Sequence, residues 1–321
     1  MRALRLEDIG NLHMKDLPRP KVEKGMVELR VSHCAICRTD IKMWRQGQRD
    51  LALPRILGHE VAGILEETGE RHVVWPGESC GTCGHCLGNS ENLCSSMRIL
   101  GFHRDGGFAE YMAVPEGALI GIPQDLPGFI ACLAEPLACG LNALSLAGLA
   151  PGQTILIFGA GSVGLLMALA ARDLGAKVFL HDINPVKLGI SAEFRRRLDL
   201  KDTAIEQIPV VDVAVNACPS MDAFLRGMGL LASGGSFCLF SGFMDRSSVP
   251  LHVLNEIHYR QLRVIGAYGC TREQMARAIR LLDKHRTEVE LLIDERIALE
   301  NVPRALSFIE TGQTLKYVVE F

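Results

Sequence analysis

One segment constrains this chain more than any other. Residues 154–158, TILIF, form a continuous apolar run of the kind buried on both faces of a parallel sheet. GAGSVG follows at once, and then LLMALAARDLGA, whose apolar residues recur at helical spacing. Gly159, Gly161 and Gly164 therefore place G-x-G-x-x-G between a strand and a helix. The first glycine allows a tight turn, the second lets a pyrophosphate approach the backbone, and the third lets the helix pack on the strand. The helix start then offers free N–H groups and a positive dipole end to the phosphate. KVFLHD supplies the next strand and ends in Asp182, where a carboxylate accepts the ribose hydroxyls of NAD and repels a 2′-phosphate. The plainer alternative is a glycine-rich turn in an ordinary α/β domain.

Further apolar strands are expected at VVDVAVNAC, GGSFCLFSG and LRVIGAYG, separated by helical stretches. Such alternation predicts an open, doubly wound parallel sheet with helices on both faces. The first third of the chain has a different texture. MVELRVSHC, EVAGILEE, ERHVVWP and GFAEYMAVP are short β-prone runs broken by Gly and Pro, which predicts a small, mostly antiparallel domain. After Tyr268 come the helix TREQMARAIRLLDK and the strand LKYVVEF. That tail is too small to fold alone and is expected to return to the first domain. The division is thus 1–136 with 268–321 for one domain, and 137–267 for the inserted dinucleotide-binding domain.

The formal charge is −3, from 34 basic and 37 acidic residues. This gives no large basic field for nucleic acid. The one basic cluster, Arg195 to Arg197, reads as a solvated helix face. No run of about 18 apolar residues lacks a charge or a breaker, so no membrane span is expected, and MRALRLEDIG has no signal-peptide character. Eleven cysteines, an odd number without a secretory signal, argue against a disulfide framework and for a reducing cytosol.

Two groups of residues have the chemistry of metal ligands. Cys80, Cys83, Cys86 and Cys94 crowd into one glycine-containing loop, as a closed four-thiolate zinc site requires. Zinc-ribbon nucleic-acid modules place their cysteine pairs on separated hairpins instead. The second group is dispersed: Cys37 in CAICRTD, His59 and Glu60 in GHE, and Glu135 in AEPLAC. Together they offer a thiolate, an imidazole and a choice of carboxylates, the donors of a catalytic zinc with an open position. Cys34 competes with Cys37, and spacing does not choose between them.

Taken in order, CAICRTD, LGHEVAG, the four-cysteine loop, DGGFAEYMAVP, AEPLACGLNAL, GAGSVG and GAYG resemble the zinc-dependent medium-chain dehydrogenases, closest to the polyol (sorbitol) and threonine dehydrogenase branch. The resemblance covers nearly the whole chain. It implies a GroES-like catalytic domain plus a Rossmann domain, two zinc ions per chain, NAD, a small alcohol or ketone substrate and a homo-oligomer, dimer or tetramer. It implies Cys37 and His59 as catalytic zinc ligands, with Glu60 and Glu135 at or next to the metal. Thr39 would pass the substrate proton onward, and Asp40 would orient a ligand. Arg38 would reach the pyrophosphate. Ser162 and Val163 in the glycine turn, Lys187, Phe240, Gly242, Ala267 and Tyr268 would complete the cofactor site. Trp44, Phe102 and His103 are candidate pocket walls.

Three features depart from the family pattern. The stretch from Gly63 to Cys80 is short. So is the stretch from Asp182 to VVDVAVNAC, where RRLDLKDTAIEQIP has room for only a reduced strand and helix. Lys42 stands where some alcohol dehydrogenases complete a proton relay with histidine. The expected chemistry is hydride transfer between NAD and a polar secondary alcohol and its ketone. The rival readings are a broad-specificity aliphatic alcohol dehydrogenase, a zinc-free quinone or enoyl reductase, and a nucleotide-binding protein without turnover.

Overall fold

The computed structural model describes residues 1–200, 203–243 and 248–321. Contacts divide the chain into two compact units, Met1–Ala138 with Cys270–Phe321, and Cys139–Gly269. The seams fall two residues later than the sequence reading placed them.

The first unit is built on a seven-stranded sheet. Its central strand, Met26–Ala35, is ten residues long and pairs antiparallel with Glu60–Ile64, with Tyr111–Pro115 and with the tail strand Lys316–Glu320. The expected return of the tail is therefore seen as strand pairing, with Val318 opposite Ala35 and Val319 opposite Cys34. A core that includes Leu4, Leu29, Phe108, Met112 and Leu306 fills this unit.

The second unit is a five-stranded, all-parallel sheet in the order Lys177–His181, Thr154–Phe158, Val211–Asn216, Leu231–Leu239, Arg263–Gly266. TILIF lies inside it, with Ile155, Leu156, Ile157 and Phe158 all buried. The stretch 196–209 gives less than the sequence reading allowed it. Among its described residues there is the end of the helix Ala192–Arg197 and a single 3₁₀ turn, Ile205–Gln207, but no strand. Lys201 and Asp202 lie outside the described residues. A further parallel strand would need a crossover of about a dozen residues, and the segment is too short for both.

The arginine cluster also differs in part from expectation. Arg196 and Arg197 pair with Glu193 on the surface. Arg195 is buried and donates to Ser191 Oγ at 3.1 Å and to the Leu188 carbonyl at 2.6 Å, so it is an internal brace and not a solvated charge. One stretch, Gly128–Ala147, is long and apolar enough to cross a membrane by length and composition, yet 78% of its most apolar 18-residue window is buried within the protein. None of the described cysteines is in a disulfide.

Candidate functional site

Strand register brings the dispersed ligand set together. Ala35 pairs with Glu60, so the chain leaving the central strand reaches Cys37 beside the His59–Glu60 segment. Cys37 is the N-cap of the helix Arg38–Gln46. Its Sγ accepts from the Thr39 N–H at 3.4 Å, and its own N–H donates to Asp40 Oδ2 at 2.8 Å. This reciprocal cap fixes the sulfur at the helix start. Donor atoms of Cys37, His59 and Glu60 all lie within 4.8 Å of one another.

The site is closed and electronegative. Asp40 and Glu60 are fully buried and His59 nearly so. His59 Nδ1 faces Asp40 Oδ1 at 3.5 Å, and neither atom has a hydrogen-bond partner. Burial opposes a charge on His59, but Asp40 and Cys37 outweigh it and raise its proton affinity well above the ordinary range. A cluster that draws positive charge, with one sulfur, one imidazole and one carboxylate donor, fits the borderline-soft zinc ion. Phe102 packs edge-on against the His59 ring, centroids 5.3 Å apart.

The structure leaves two sequence candidates outside this group. Cys34 is buried within the central strand, its thiol pushed well up by desolvation, and is not grouped with His59. Glu135 sits in the first turn of the helix Ala134–Ala147, outside the trio of Cys37, His59 and Glu60.

The four-cysteine loop converges on a point. All four Sγ atoms lie within 4.8 Å of one another. Cys83 and Cys86 are 3.5 Å apart and Cys80 and Cys86 are 3.9 Å apart. A tetrahedron with Zn–S bonds of about 2.3 Å has edges of about 3.8 Å, so the spacing suits zinc and is far beyond a disulfide. The Cys80 thiol is pulled down to about 6 by hydrogen bonds from Thr82 and then Cys83, whereas desolvation and Cys83 push Cys86 up to about 11.

In the second unit the glycine turn has the spatial limits its spacing implied. A Cβ on Gly164 would sit 1.9 Å from the Gly159 carbonyl oxygen, so the helix packs this closely only with glycine there. Gly159 has φ +118°. Ser162 and Val163 open the helix Ser162–Asp173. Asp182 follows the strand Lys177–His181 and braces the turn, accepting from the Ala160 N–H at 2.7 Å and the Asn184 N–H at 2.8 Å. Lys187 comes near the turn, with Nζ 3.7 Å from where a Cβ of Gly161 would be.

Residues 23–124 match the alcohol dehydrogenase GroES-like domain. D-altritol 5-dehydrogenase of Agrobacterium fabrum is 30% identical, with 94% of each chain covered. The chain belongs to the zinc-dependent medium-chain alcohol dehydrogenase superfamily. L-threonine 3-dehydrogenase of Mesorhizobium japonicum is 26% identical over 96% of this chain and 95% of its own. A solved structure described as a zinc-binding dehydrogenase from Sinorhizobium meliloti, bound to NADP, superposes with a TM-score of 0.89 at 29% identity, covering 100% of this chain and 99% of that one.

Two residues of this medium-chain dehydrogenase escaped the sequence reading. Lys316 is buried, and its Nζ donates to Glu60 Oε1 at 2.9 Å, to Oε2 at 2.8 Å and to the Ile36 carbonyl at 3.1 Å. The sole sequence signal is a lysine two positions from the apolar Val318 in the expected strand LKYVVEF. Asn216, fully buried at the end of the strand Val211–Asn216, accepts from the Phe240 N–H at 2.8 Å and donates to the Ser241 carbonyl at 2.8 Å. It thereby fixes the segment holding Phe240 and Gly242.

Other expected site residues are dispersed. Arg38 and Lys42 are exposed on the helix Arg38–Gln46. Ala267 is nearly buried and Tyr268 half exposed, just past the strand Arg263–Gly266. Of the candidate pocket walls, Phe102 touches His59, whereas the His103 ring accepts from the Ile99 N–H and Trp44 stacks under Arg45. An open cavity of about 520 Å³ lies at the far end of the same helix, lined in part by Lys42, Gln46, Gln48, Arg49 and Leu51.

Proposed function

We propose that this dehydrogenase uses NAD and two zinc ions per chain, one catalytic and one structural, to interconvert a polar secondary alcohol and its ketone. Its substrate is a polyol, a sugar-derived alcohol or an amino alcohol. The observation that carries the reading is the meeting of Cys37, His59 and Glu60 in one buried cluster. A carboxylate in place of a second thiolate brings the same charge on a harder oxygen donor. It therefore suits a substrate that brings a neighbouring hydroxyl or ammonium. Relatives named for altritol and threonine point to the same class.

Zinc would supply a Lewis acid to the substrate oxygen, and NAD would supply the hydride acceptor. The chain's own residues do the rest. Thr39, two residues past Cys37, is the hydroxyl assigned to take the substrate's proton. Asp40 holds the His59 ring by facing Nδ1, which leaves the other ring nitrogen for the metal. Phe102 covers the ring and keeps water from its edge. Asp182, Gly161 and Lys187 hold the adenosine and phosphate portions of the dinucleotide, with Arg38 assigned to the pyrophosphate.

Assembly into a dimer or tetramer belongs to the same reading. The strand Arg263–Gly266 ends its sheet with Val264 exposed, an edge that a second chain can cover. We place the protein in a reducing cytoplasm, the setting in which a metal-binding cluster such as Cys80, Cys83, Cys86 and Cys94 keeps its thiols.

The deciding experiment compares kcat/KM for vicinal diols and amino alcohols with chain-matched simple alcohols, read by NADH absorbance. A preference of tenfold or more for the polar series, about 1.4 kcal/mol of transition-state binding, is expected. Ethanol or butanol winning that comparison would leave a broad aliphatic dehydrogenase in its place.

A further inference from the structure

Four strand ends form a row along one edge of the parallel sheet. In sheet order they lead to Asp182, Gly159, Asn216 and Phe240. Ligands of open parallel sheets bind outside this carboxyl edge. Gly159 opens the turn proposed for the pyrophosphate, and Asp182 beside it is proposed for the adenosine ribose. The adenosine half of the dinucleotide therefore leaves on the Asp182 side. The nicotinamide half is left the other direction, over the ends of the strands Val211–Asn216 and Leu231–Leu239. Neighbouring strands lie about 4.8 Å apart, so Phe240 stands about 10 Å along the edge from Gly159.

Asn216 is built into the middle of that span. It is fully buried, whereas Phe240 and Ser241 are partly exposed and Gly242 is exposed. Its side-chain amide meets three backbone groups. Oδ1 accepts from the Phe240 N–H at 2.8 Å, and Nδ2 donates to the Ser241 carbonyl at 2.8 Å and the Cys218 carbonyl at 3.3 Å. The Asn216 backbone carbonyl accepts from the Ser241 N–H at 3.0 Å. Next along the chain, the Ala217 N–H donates to the Phe158 carbonyl at 2.8 Å, and a Cβ on Gly159 would sit 2.9 Å from the Ala217 carbonyl oxygen. Residues 216–218 are thus packed against the pyrophosphate turn on one side and bonded to residues 240–241 on the other.

The chemistry of the partners is selective. A neutral carboxamide brings one acceptor and two donors at once. An ionised carboxylate of the same shape can only accept, and would set a buried negative charge against two carbonyl oxygens. From this geometry we infer that Asn216 is a positioning residue for the nicotinamide half of the cofactor. It holds the 240–242 backbone at a set distance from the pyrophosphate turn, and it does so through a neutral amide. The inference rests on the nicotinamide-cofactor reading above.

The test uses the zinc-loaded, full-length protein in wild-type, N216D and N216S forms. Each is titrated with NADH, by fluorescence, and with ADP-ribose, which keeps the pyrophosphate but lacks the nicotinamide. At pH 8.5 N216D should bind NADH at least about tenfold more weakly than wild type, because a buried bonding set is broken. Its ADP-ribose affinity should stay within about twofold of wild type, since the Asp182 side and the glycine turn are untouched. At pH 6 the NADH deficit should shrink at least about threefold, because burial raises the introduced carboxyl's pKa and its protonated form can donate again. N216S, which breaks bonds without adding a charge, should show a NADH deficit that does not change between the two pH values.

Equal losses for NADH and ADP-ribose would make Asn216 a general prop and overturn the inference. So would unchanged NADH binding, or a deficit in N216D that ignores pH. Should N216D fail to fold, N216S decides alone, and equal losses for its two ligands would overturn the proposal. A wild-type protein that binds no nicotinamide dinucleotide would overturn the cofactor reading itself.

Discussion

His59 Nδ1 and Asp40 Oδ1 face each other across 3.5 Å in a space closed to solvent, and Asp40 at the same time caps the helix that begins at Cys37. One carboxylate therefore orients two proposed ligands of the same metal. Asp40→Asn keeps the shape but removes the charge. It should weaken zinc at this site by about 10–100-fold, measured by competition with a chromogenic chelator. The four-cysteine metal should be retained. Unchanged affinity would show that Asp40 does not act through His59.

The four-thiolate loop should contribute to folding directly. Cys83→Ser is expected to remove one zinc per chain by elemental analysis and to lower the melting temperature, because structural zinc stabilises the folded loop over the free one. A variant with full metal content and normal melting would remove the structural assignment.

Cofactor choice should follow Asp182. Wild-type kcat/KM should favour NAD over NADP through repulsion of the 2′-phosphate. Asp182→Ser should narrow the ratio mainly by weakening NAD. Since Asp182 also accepts from the Ala160 and Asn184 N–H groups, some loss of thermal stability should accompany the change. Equal use of both cofactors by the wild type would contradict this assignment.

Acid should weaken the first unit through His33. Burial lowers its pKa to about 4, with Arg296 and Arg71 acting in the same direction against Glu320. The folded value lies below the unfolded one, so the unfolded chain binds the extra proton first. Stability is then full above about pH 6.5 and falls as the pH drops toward 4, by up to about 3 kcal/mol. His33→Gln should flatten that part of the profile, seen as a smaller difference in urea midpoint between pH 7 and pH 5. Identical slopes in the two proteins would exclude His33 as the source.

Much of this was legible in the residues. TILIF-GAGSVG located the parallel sheet and its turn, because three glycines between a buried strand and a helix satisfy few other geometries. The four cysteines announced themselves by proximity along the chain. Cys37, His59 and Glu60 were visible only as a set, since their meeting depends on a register between strands that no local pattern specifies. Spacing did not choose between Cys37 and Cys34; in the structure Cys37 caps a helix beside His59, whereas Cys34 is buried in the central strand. Lys316 and Asn216 could not be read, because each works through a partner far along the chain. The stretch 196–209 was credited with a reduced strand and helix, and length alone could not say that its described residues would include no strand.

The pairing of Lys316 with Glu60 joins residues 256 positions apart. At roughly 5–20 residues per second, the ribosome needs about 13–50 s to make the second after the first. Through that interval the emerging first unit lacks both the tail strand and the cation its buried carboxylate requires. The segment Cys139–Gly269, continuous in sequence, has no such wait and can finish first. Synthesis thus imposes an order in which the cluster around Glu60 can be completed only after the segment Cys139–Gly269 has been made, and a nascent chain holds Glu60 as an unanswered charge until then.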